Sequence, residues 1–278
     1  MKETTKNMKK PKVALVLGAG GAKGLAHIGV LRALEKHKIK FDLLVGCSMG
    51  AIVGACYALG VPLDELEKRA KQLSRSEVLD VKLPNKYGFV KGDKAERVIK
   101  KLLKTEVPPT FKDCKVPVAC ACTDLYKGEP VWITRGEILP AVRASFSIGG
   151  VFQPVEINDK HLVDGGVLAR VPVDLARKMG ADVVIAVDCV GKNYPLKENE
   201  LSSYFDTVTR VFNLLDYGAS IEEMKRADLL LQMYQPEVSA IRIKNIDKSI
   251  AYGEKIIEDN LAKIKAVIKS AKTKEIAK

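Results

Sequence analysis

The sequence predicts an α/β fold with parallel strands, and three stretches carry that prediction. Val13-Ala14-Leu15-Val16-Leu17 is a short apolar run that ends in a glycine loop, after which Leu25, Ile28, Leu31 and Leu34 recur at helical spacing. Leu43-Leu44-Val45 is a second apolar run, joined by a tight turn to the small-residue helix pattern Ala51-Ile52-Val53-Gly54-Ala55. Val183 to Cys189 is a third, strongly apolar strand. Strands alternating with helices in this way pair in parallel and gather functional groups at their C-terminal ends.

The elements follow in order. Residues 1–11 are a flexible basic arm, 12–270 one domain, and 271–278 a frayed basic tail. A β–loop–α unit spans 13 to 38 and a second spans 43 to 59. Residues 61 to 104 are mainly helical and charged, broken at Pro84-Asn85-Lys86-Tyr87-Gly88, a candidate lid or surface loop. Val116 to Thr123 and Pro130 to Thr134 predict strands joined by a turn at Lys127-Gly128-Glu129, and residues 137 to 145 a short helix. The polar stretch 191–202 predicts a loop and 203–226 a helix. The last helix covers 254 to 270, with Ile257, Leu261, Ile264 and Ile268 in one stripe. Packing of that stripe on the sheet is expected over a membrane-surface role.

The most specific feature is Gly46-Cys47-Ser48-Met49-Gly50, a Gly-x-Ser-x-Gly between a strand and a helix. A turn that tight forces the serine into a strained conformation and pushes its Oγ clear of the sheet at a helix N-terminus. The loop Gly18-Ala19-Gly20-Gly21-Ala22-Lys23-Gly24 exposes backbone N–H groups at another strand end. Three anion sites compete for it. A P-loop needs Gly-Lys-Ser/Thr, whereas the order here is Lys23-Gly24-Leu25. A dinucleotide fingerprint read from Gly18 needs glycine where Lys23 stands, although Asp42 offers a ribose-binding acid. An oxyanion hole for an acyl-transfer serine is the reading the serine motif favours.

A serine nucleophile needs a base, and the chain has three histidines: His27, His37 and His161. None follows Asp164, so the α/β-hydrolase order of serine, acid and histidine is excluded if Asp164 is the acid. His27 on the helix after the glycine loop reads as a helix-face histidine with a satisfied hydrogen bond, His37 as a solvated helix end, and His161 as a strand residue. Asp164-Gly165-Gly166 follows the β-like run Lys160-His161-Leu162-Val163, and on its own it is a turn. This shortage of histidines makes a Ser–Asp dyad plausible beside His27, since a carboxylate within hydrogen-bond reach can take the serine proton directly.

Together these residues resemble the patatin-like phospholipases. The matching pieces are Gly20-Gly21-Ala22-Lys23-Gly24, Leu25 to Leu31, Gly46 to Gly50, the Ala144-Ser145 to Phe152-Gln153-Pro154 segment, Asp164-Gly165-Gly166, and Ala227 to Leu231 with Pro236, spanning about 12 to 268. The resemblance implies a three-layer α/β/α fold with a mostly parallel sheet and a catalytic dyad of Ser48 and Asp164. It also implies hydrolysis of lipid acyl esters through an acyl-enzyme, with no metal and no cofactor. The oxyanion hole falls on Gly20, Gly21, Ala22 and Met49. Lys23, Gly24, Gly46, Gly50, Gly165 and Gly166 are motif or substrate-binding positions. Two departures stand out: Ala19 occupies the first glycine of the fuller Gly-x-Gly-x-x-Gly frame, and Gly149 stands where many relatives have proline. The alternative is a non-catalytic, regulatory lipid-binding protein of the same fold.

A length of 278 residues supports one large α/β domain. The 47% hydrophobic and 29% charged fractions are ordinary for a globular protein. A net charge of +12 favours polyanions, and with no nucleic-acid motif the expected partner beyond a lipid ester is an anionic membrane surface, touched peripherally. The uncharged stretch 43–63 mimics a transmembrane span but carries Gly46, Ser48, Gly50, Gly54 and Gly60, and reads as a strand, an elbow and a helix. Lys9, Lys10 and Lys12 before an apolar run mimic a signal peptide, yet that run is the first strand; the expected location is the cytoplasm. The six cysteines show no regular framework and read as reduced thiols. Cys47, beside the serine, is flagged for inhibition by thiol reagents.

Overall fold

The computed structural model describes residues 10–78, 90–103, 107–192, 201, 204–240 and 243–276. In chain order the elements are β1 (Val13–Leu17), α1 (Ala26–Lys36), β2 (Leu43–Cys47), α2 (Met49–Ala58), α3 (Leu63–Gln72), α4 (Arg75–Val78), α5 (Asp93–Leu103), β3 (Val118–Asp124) and β4 (Glu129–Ile133). There follow α6 (Ile138–Ser145), β5 (Val155–Ile157), β6 (Lys160–Asp164), α7 (Gly166–Ala169), α8 (Val173–Lys178), β7 (Val183–Asp188), α9 (Tyr204–Met224), β8 (Leu229–Gln232) and α10 (Ile246–Ile276). The Pro84–Gly88 break, most of the 191–202 stretch, residues 1–9 of the basic arm, and residues 277 and 278 lie outside the described residues.

β8, β7, β1, β2 and β3 run parallel, and β4, β5 and β6 add an antiparallel margin. Alternate residues of the central strands feed two separate cores. Leu15, Leu17, Leu44, Cys120 and Ile185 face α1, α2, α3, α5, α6 and α10. Ala14, Val16, Val45, Ala119 and Val184 face the other way, onto Val173, Leu175 and Ala176 of α8 and Met224 of α9. Both faces of a parallel sheet are thereby covered, which is why these strands are continuous apolar runs.

The register on β3 fixes the architecture of the site. Cys120 and Ala121 pair with both β2 and β4, while Cys122, Thr123 and Asp124 pair with both β4 and β6. A strand has two edges, so β2 and β6 share one edge of β3 and meet end to end. β2 runs parallel to β3 and stops with Cys47 opposite Ala121; β6 runs antiparallel and stops with Asp164 opposite Cys122. Cys47 and Asp164, 117 residues apart in sequence, are thus brought to one junction by register alone.

The uncharged stretch 43–63 resolves into β2 and α2, and no helix among the described residues is long and apolar enough to cross a membrane. The last helix differs from expectation at both ends. It begins at Ile246, and Gly253 within it lies against α1, where a side chain would meet the Ala26 carbonyl. It continues through Ile276 because residues 270–276 contain no glycine or proline. Its stripe is covered, with Ile257 and Ile264 fully buried and α10 packed along α1. β5, absent from the sequence reading, forms a hairpin with β6 over Asn158 and Asp159, both at positive φ (51° and 60°).

Candidate active site

Ser48 sits between β2 and α2 with φ 54° and ψ −121°, a strained conformation for a residue with a side chain. Its neighbours must be glycine because the elbow leaves no room. A Cβ on Gly46 would lie 2.5 Å from the Ala51 Cα, and one on Gly50 only 2.0 Å from the Leu17 carbonyl oxygen. The strained Ser48 N–H cannot join the strand ladder or the helix. It donates instead to Ser145 Oγ at 3.0 Å, and Ser145 Oγ in turn donates to the Ala121 carbonyl at 2.7 Å.

Asp164 ends β6 beside the elbow. Gly166 N–H donates to its Oδ1 at 2.8 Å, the Cys47 thiol lies 3.7 Å from the same oxygen, and the nearby Ser48 side chain favours the ionised carboxylate. Burial dominates these donors and raises its pKa to about 6. Its backbone N–H donates to the Ser147 carbonyl at 2.8 Å. One short stretch at the end of α6 therefore holds both groups, through the side chain of Ser145 and the main chain of Ser147. Arg143 fastens that stretch: its guanidinium bonds to Ser147 Oγ and to the Lys91 carbonyl, and lies 5.2 and 5.3 Å from the ring centroids of Phe146 and Phe152.

The glycine loop lies at the end of β1. Gly21 has φ +53°, and a Cβ there would meet the Ala240 carbonyl oxygen at 2.2 Å. Gly20 and Gly21, with Met49 at the first turn of α2, line the same cavity as Ser48. Ala22 departs from the expected donor set. Its N–H donates to the Ala240 carbonyl at 2.7 Å and so is spent on holding the loop. Lys23 lies in the loop with its carbonyl accepting from Gln235 Nε2 and Ser249 Oγ. Gly24 packs against Met49, Gly165 against the Ala121 carbonyl, and Gly166 against Asp164.

The histidines lie elsewhere. His27 is fully buried, its Nε2 2.8 Å from the Gly18 carbonyl, and burial lowers its pKa to about 4, which keeps it neutral. His37 pairs with Glu258 on α10, and His161 packs edge-on against Tyr126. Asp42, weighed as a ribose ligand, accepts from Val13 N–H at the opposite end of β1 from the glycine loop. That placement removes the acid a dinucleotide site would need. Cys47 is buried, with its thiol pKa pushed well above the usual value by burial and Asp164, so it is a poor target for thiol reagents.

Arg170 is the largest fully buried side chain, and no sequence motif marks it. It bonds to Asp188 Oδ2 at 2.8 Å and Asp216 Oδ1 at 3.0 Å, and its carbonyl accepts Ala19 N–H of the glycine loop at 2.9 Å. A buried pair of this kind is costly to break from one side.

Ser48 and Asp164 open into a cavity of about 910 Å³. Its wall runs from Ile52 and Val53 of α2 to Leu66 and Ala70 of α3 and to Val98 and Ile99 of α5, and it is overwhelmingly apolar. On the other side of Ser48 the wall is formed by α7 and α9. Gly149 lies in this wall with Phe152, which puts the expected acyl-proximal segment beside the cavity.

A family model described as patatin-like phospholipase matches residues 15–177. An uncharacterized NTE family protein of Mycobacterium tuberculosis is 37% identical over 183 residues, covering 65% of this chain and 50% of that protein. Patatin-like phospholipase domain-containing protein 6 of Homo sapiens is 32% identical over 252 residues, 87% of this chain and 18% of that protein. Lysophospholipase nte1 of Aspergillus fumigatus is 30% identical over 239 residues, 77% of this chain and 15% of that protein. The chain thus spans half the length of the mycobacterial relative and less than a fifth of the other two. Among solved structures, VipD from Legionella pneumophila shares the fold, with a TM-score of 0.52 at 13% identity over 95% of this chain and 67% of that one. A family match over more than half the sequence, with relatives above 30% identity along most of it, shows that this chain belongs to the patatin-like phospholipase family.

Proposed function

We propose that this protein is a lipid acyl hydrolase of the phospholipase A, lysophospholipase or carboxylesterase type, with Ser48 as nucleophile and Asp164 as base. The observation that carries the reading is Ser48 on a strained elbow and the buried Asp164 carboxylate lining one large, mostly apolar cavity together. Ser48 Oγ attacks the ester carbonyl while Asp164 takes its proton. The N–H groups of Gly20, Gly21 and Met49 stabilise the oxyanion, the helix dipole of α2 adding to Met49. Collapse expels the alcohol, protonated by Asp164, and leaves the acyl chain on Ser48. Asp164 then removes a proton from water, which attacks the acyl-enzyme; the second intermediate collapses as Asp164 returns that proton to Ser48 Oγ, releasing the fatty acid.

The raised pKa of Asp164 suits it to this task, because a base near 6 accepts a proton more readily than one near 3.8 and is still ionised at neutral pH. The acyl chain fits the wall lined by α2, α3 and α5. No step calls on a metal or cofactor.

The test is fatty-acid release from mixed phospholipids and lysophospholipids, together with fluorophosphonate labelling. Wild type is expected to release fatty acid and to be labelled at Ser48. Ser48→Ala should lose both, and Asp164→Asn should lose turnover with the fold retained. Failure of the probe to label folded wild-type protein would favour the regulatory lipid-binding alternative.

A further inference from the structure

α9 has two faces of different character. Its inner face is pinned by Arg170: Asp216 accepts from the guanidinium, Ser220 Oγ accepts the Arg170 N–H at 2.9 Å, and Tyr217 lies under the guanidinium with its ring centroid 4.9 Å away. Met224, one turn on, is in the core. With that face fixed, Val211, Leu214 and Leu215 share an i, i+3, i+4 stripe that turns outward, exposed at 49%, 44% and 66%.

This stripe adjoins the mouth of the active-site cavity. Leu215 and Val167 of α7 both line the cavity and are exposed, so they form its rim; Phe212 and Asp216 continue the wall inward. Polar substrates would gain nothing from a greasy rim, whereas an acyl chain leaving a bilayer would pass along a mostly apolar wall to Ser48. The other apolar stripe weighed for membrane contact, on α10, is covered by α1.

We propose that the outward stripe of α9, with Val167 beside it, is the surface by which this protein docks on a lipid bilayer, placing the cavity mouth against the lipid. The inference rests on the acyl-hydrolase reading and adds where substrate enters. A bilayer is favoured over a second copy of the chain because the rim is continuous with a wall suited to lipid chains, and a second copy seated there would close the mouth. The net charge of +12 directs the choice toward anionic bilayers.

The test uses the full chain and separates docking from hydrolysis. Wild type and Ser48→Ala are sedimented with vesicles of phosphatidylcholine, with and without phosphatidylglycerol. Both should bind the anionic vesicles. The double variant Val211→Glu/Leu214→Glu, which leaves the cavity lining untouched, should lower the bound fraction at least about tenfold, with cleavage of a soluble short-chain ester unchanged. Leu214→Trp should show a blue-shifted emission on vesicle addition, whereas the native Trp132, on β4 beneath Lys178, should not. Vesicle binding by the double variant equal to wild type would overturn the proposal. So would failure of wild type to bind either vesicle, or conversion of a wild-type dimer to monomer by the double variant with vesicle binding intact. Vesicle binding lost in the double variant, in a protein that cleaves no soluble ester, would support the surface while removing the hydrolase reading.

Discussion

Ser145 holds Ser48 by its main chain: the strained Ser48 N–H donates to Ser145 Oγ at 3.0 Å, and that hydroxyl is itself anchored on the Ala121 carbonyl at 2.7 Å. Ala121 pairs with Cys47, the residue before Ser48. The hydroxyl therefore braces the elbow against β3, the strand on which β6 also pairs to bring Asp164 to the junction.

Ser145→Ala removes the acceptor and leaves a buried N–H without a partner, a loss of about 1–3 kcal/mol. The elbow should relax from its strained geometry. We expect kcat to fall by about tenfold or more with KM little changed, because the loss is in alignment rather than in substrate contact. Fluorophosphonate labelling should slow in parallel. Thermal denaturation should show a drop of about 2–4 °C for each kcal/mol lost. Unchanged labelling beside that drop would reduce Ser145 to a structural residue.

Asp164 gives a prediction with a defined sign. Its folded-state pKa, about 6, lies above the 3.8 expected in the unfolded chain. The folded state therefore holds this proton more tightly, and the stability so gained is fully present below pH 3.8 and lost as pH rises through about 6. Ionising the group costs the fold about 3 kcal/mol at neutral pH. Asp164→Asn should accordingly raise the melting temperature at pH 8, with the advantage shrinking as pH falls toward 4. Wild-type kcat/KM should climb through a limb near pH 6 as the base ionises. A melting temperature for Asp164→Asn below wild type at pH 8 would contradict the burial argument.

Much of the fold was legible because apolar runs and glycine punctuation are local. β1, β2 and β7 are continuous apolar strands, and Gly46 to Gly50 marks the elbow directly. What stayed hidden depends on register. The Ser48–Asp164 pairing is implied by the family resemblance, but the end-to-end meeting of β2 and β6 appears only in the pairing of β3. Ala22 was read as a donor because an N–H in a loop has no visible partner in sequence; its acceptor, the Ala240 carbonyl, lies more than 200 residues away. Arg170 carries no motif, and its role comes from Asp188, Asp216 and Ala19, three distant segments. The hairpin at Asn158 and Asp159 was detectable, since that residue pair favours positive φ.

The glycine loop distinguishes neighbouring positions. Gly21→Ala places a Cβ 2.2 Å from the Ala240 carbonyl oxygen at a positive φ, so the loop must move and its N–H leaves the oxyanion position. We expect a loss of about 10²–10³-fold in kcat, the cost of removing one donor. Ala22→Gly keeps the N–H that binds Ala240 and should retain most of the activity. Steady-state hydrolysis of one soluble ester by both variants is sufficient. Equal losses at the two positions would show that both variants act by disturbing the loop backbone rather than by removing the Gly21 donor.

The cavity wall predicts acyl-chain selectivity. From Ser48 it follows Ile52 and Val53 down α2 to Leu66 and Ala70 of α3 and to Val98 and Ile99 of α5. A long chain must extend along this wall, whereas a short one is held near the elbow. Ala70→Phe puts a ring into the part of the cavity between α3 and α5 without touching Ser48, Asp164 or the glycine loop. Each methylene excluded from an apolar pocket is worth about 1–3 kcal/mol in discrimination. We expect kcat/KM for long-chain esters to fall by at least about tenfold, while butyrate esters stay within about twofold of wild type. The measurement is a chain-length series on wild type and variant at one pH. A uniform loss along the series would place the acyl chain elsewhere, on the α7 and α9 side of Ser48, and would leave the α3–α5 space without a substrate.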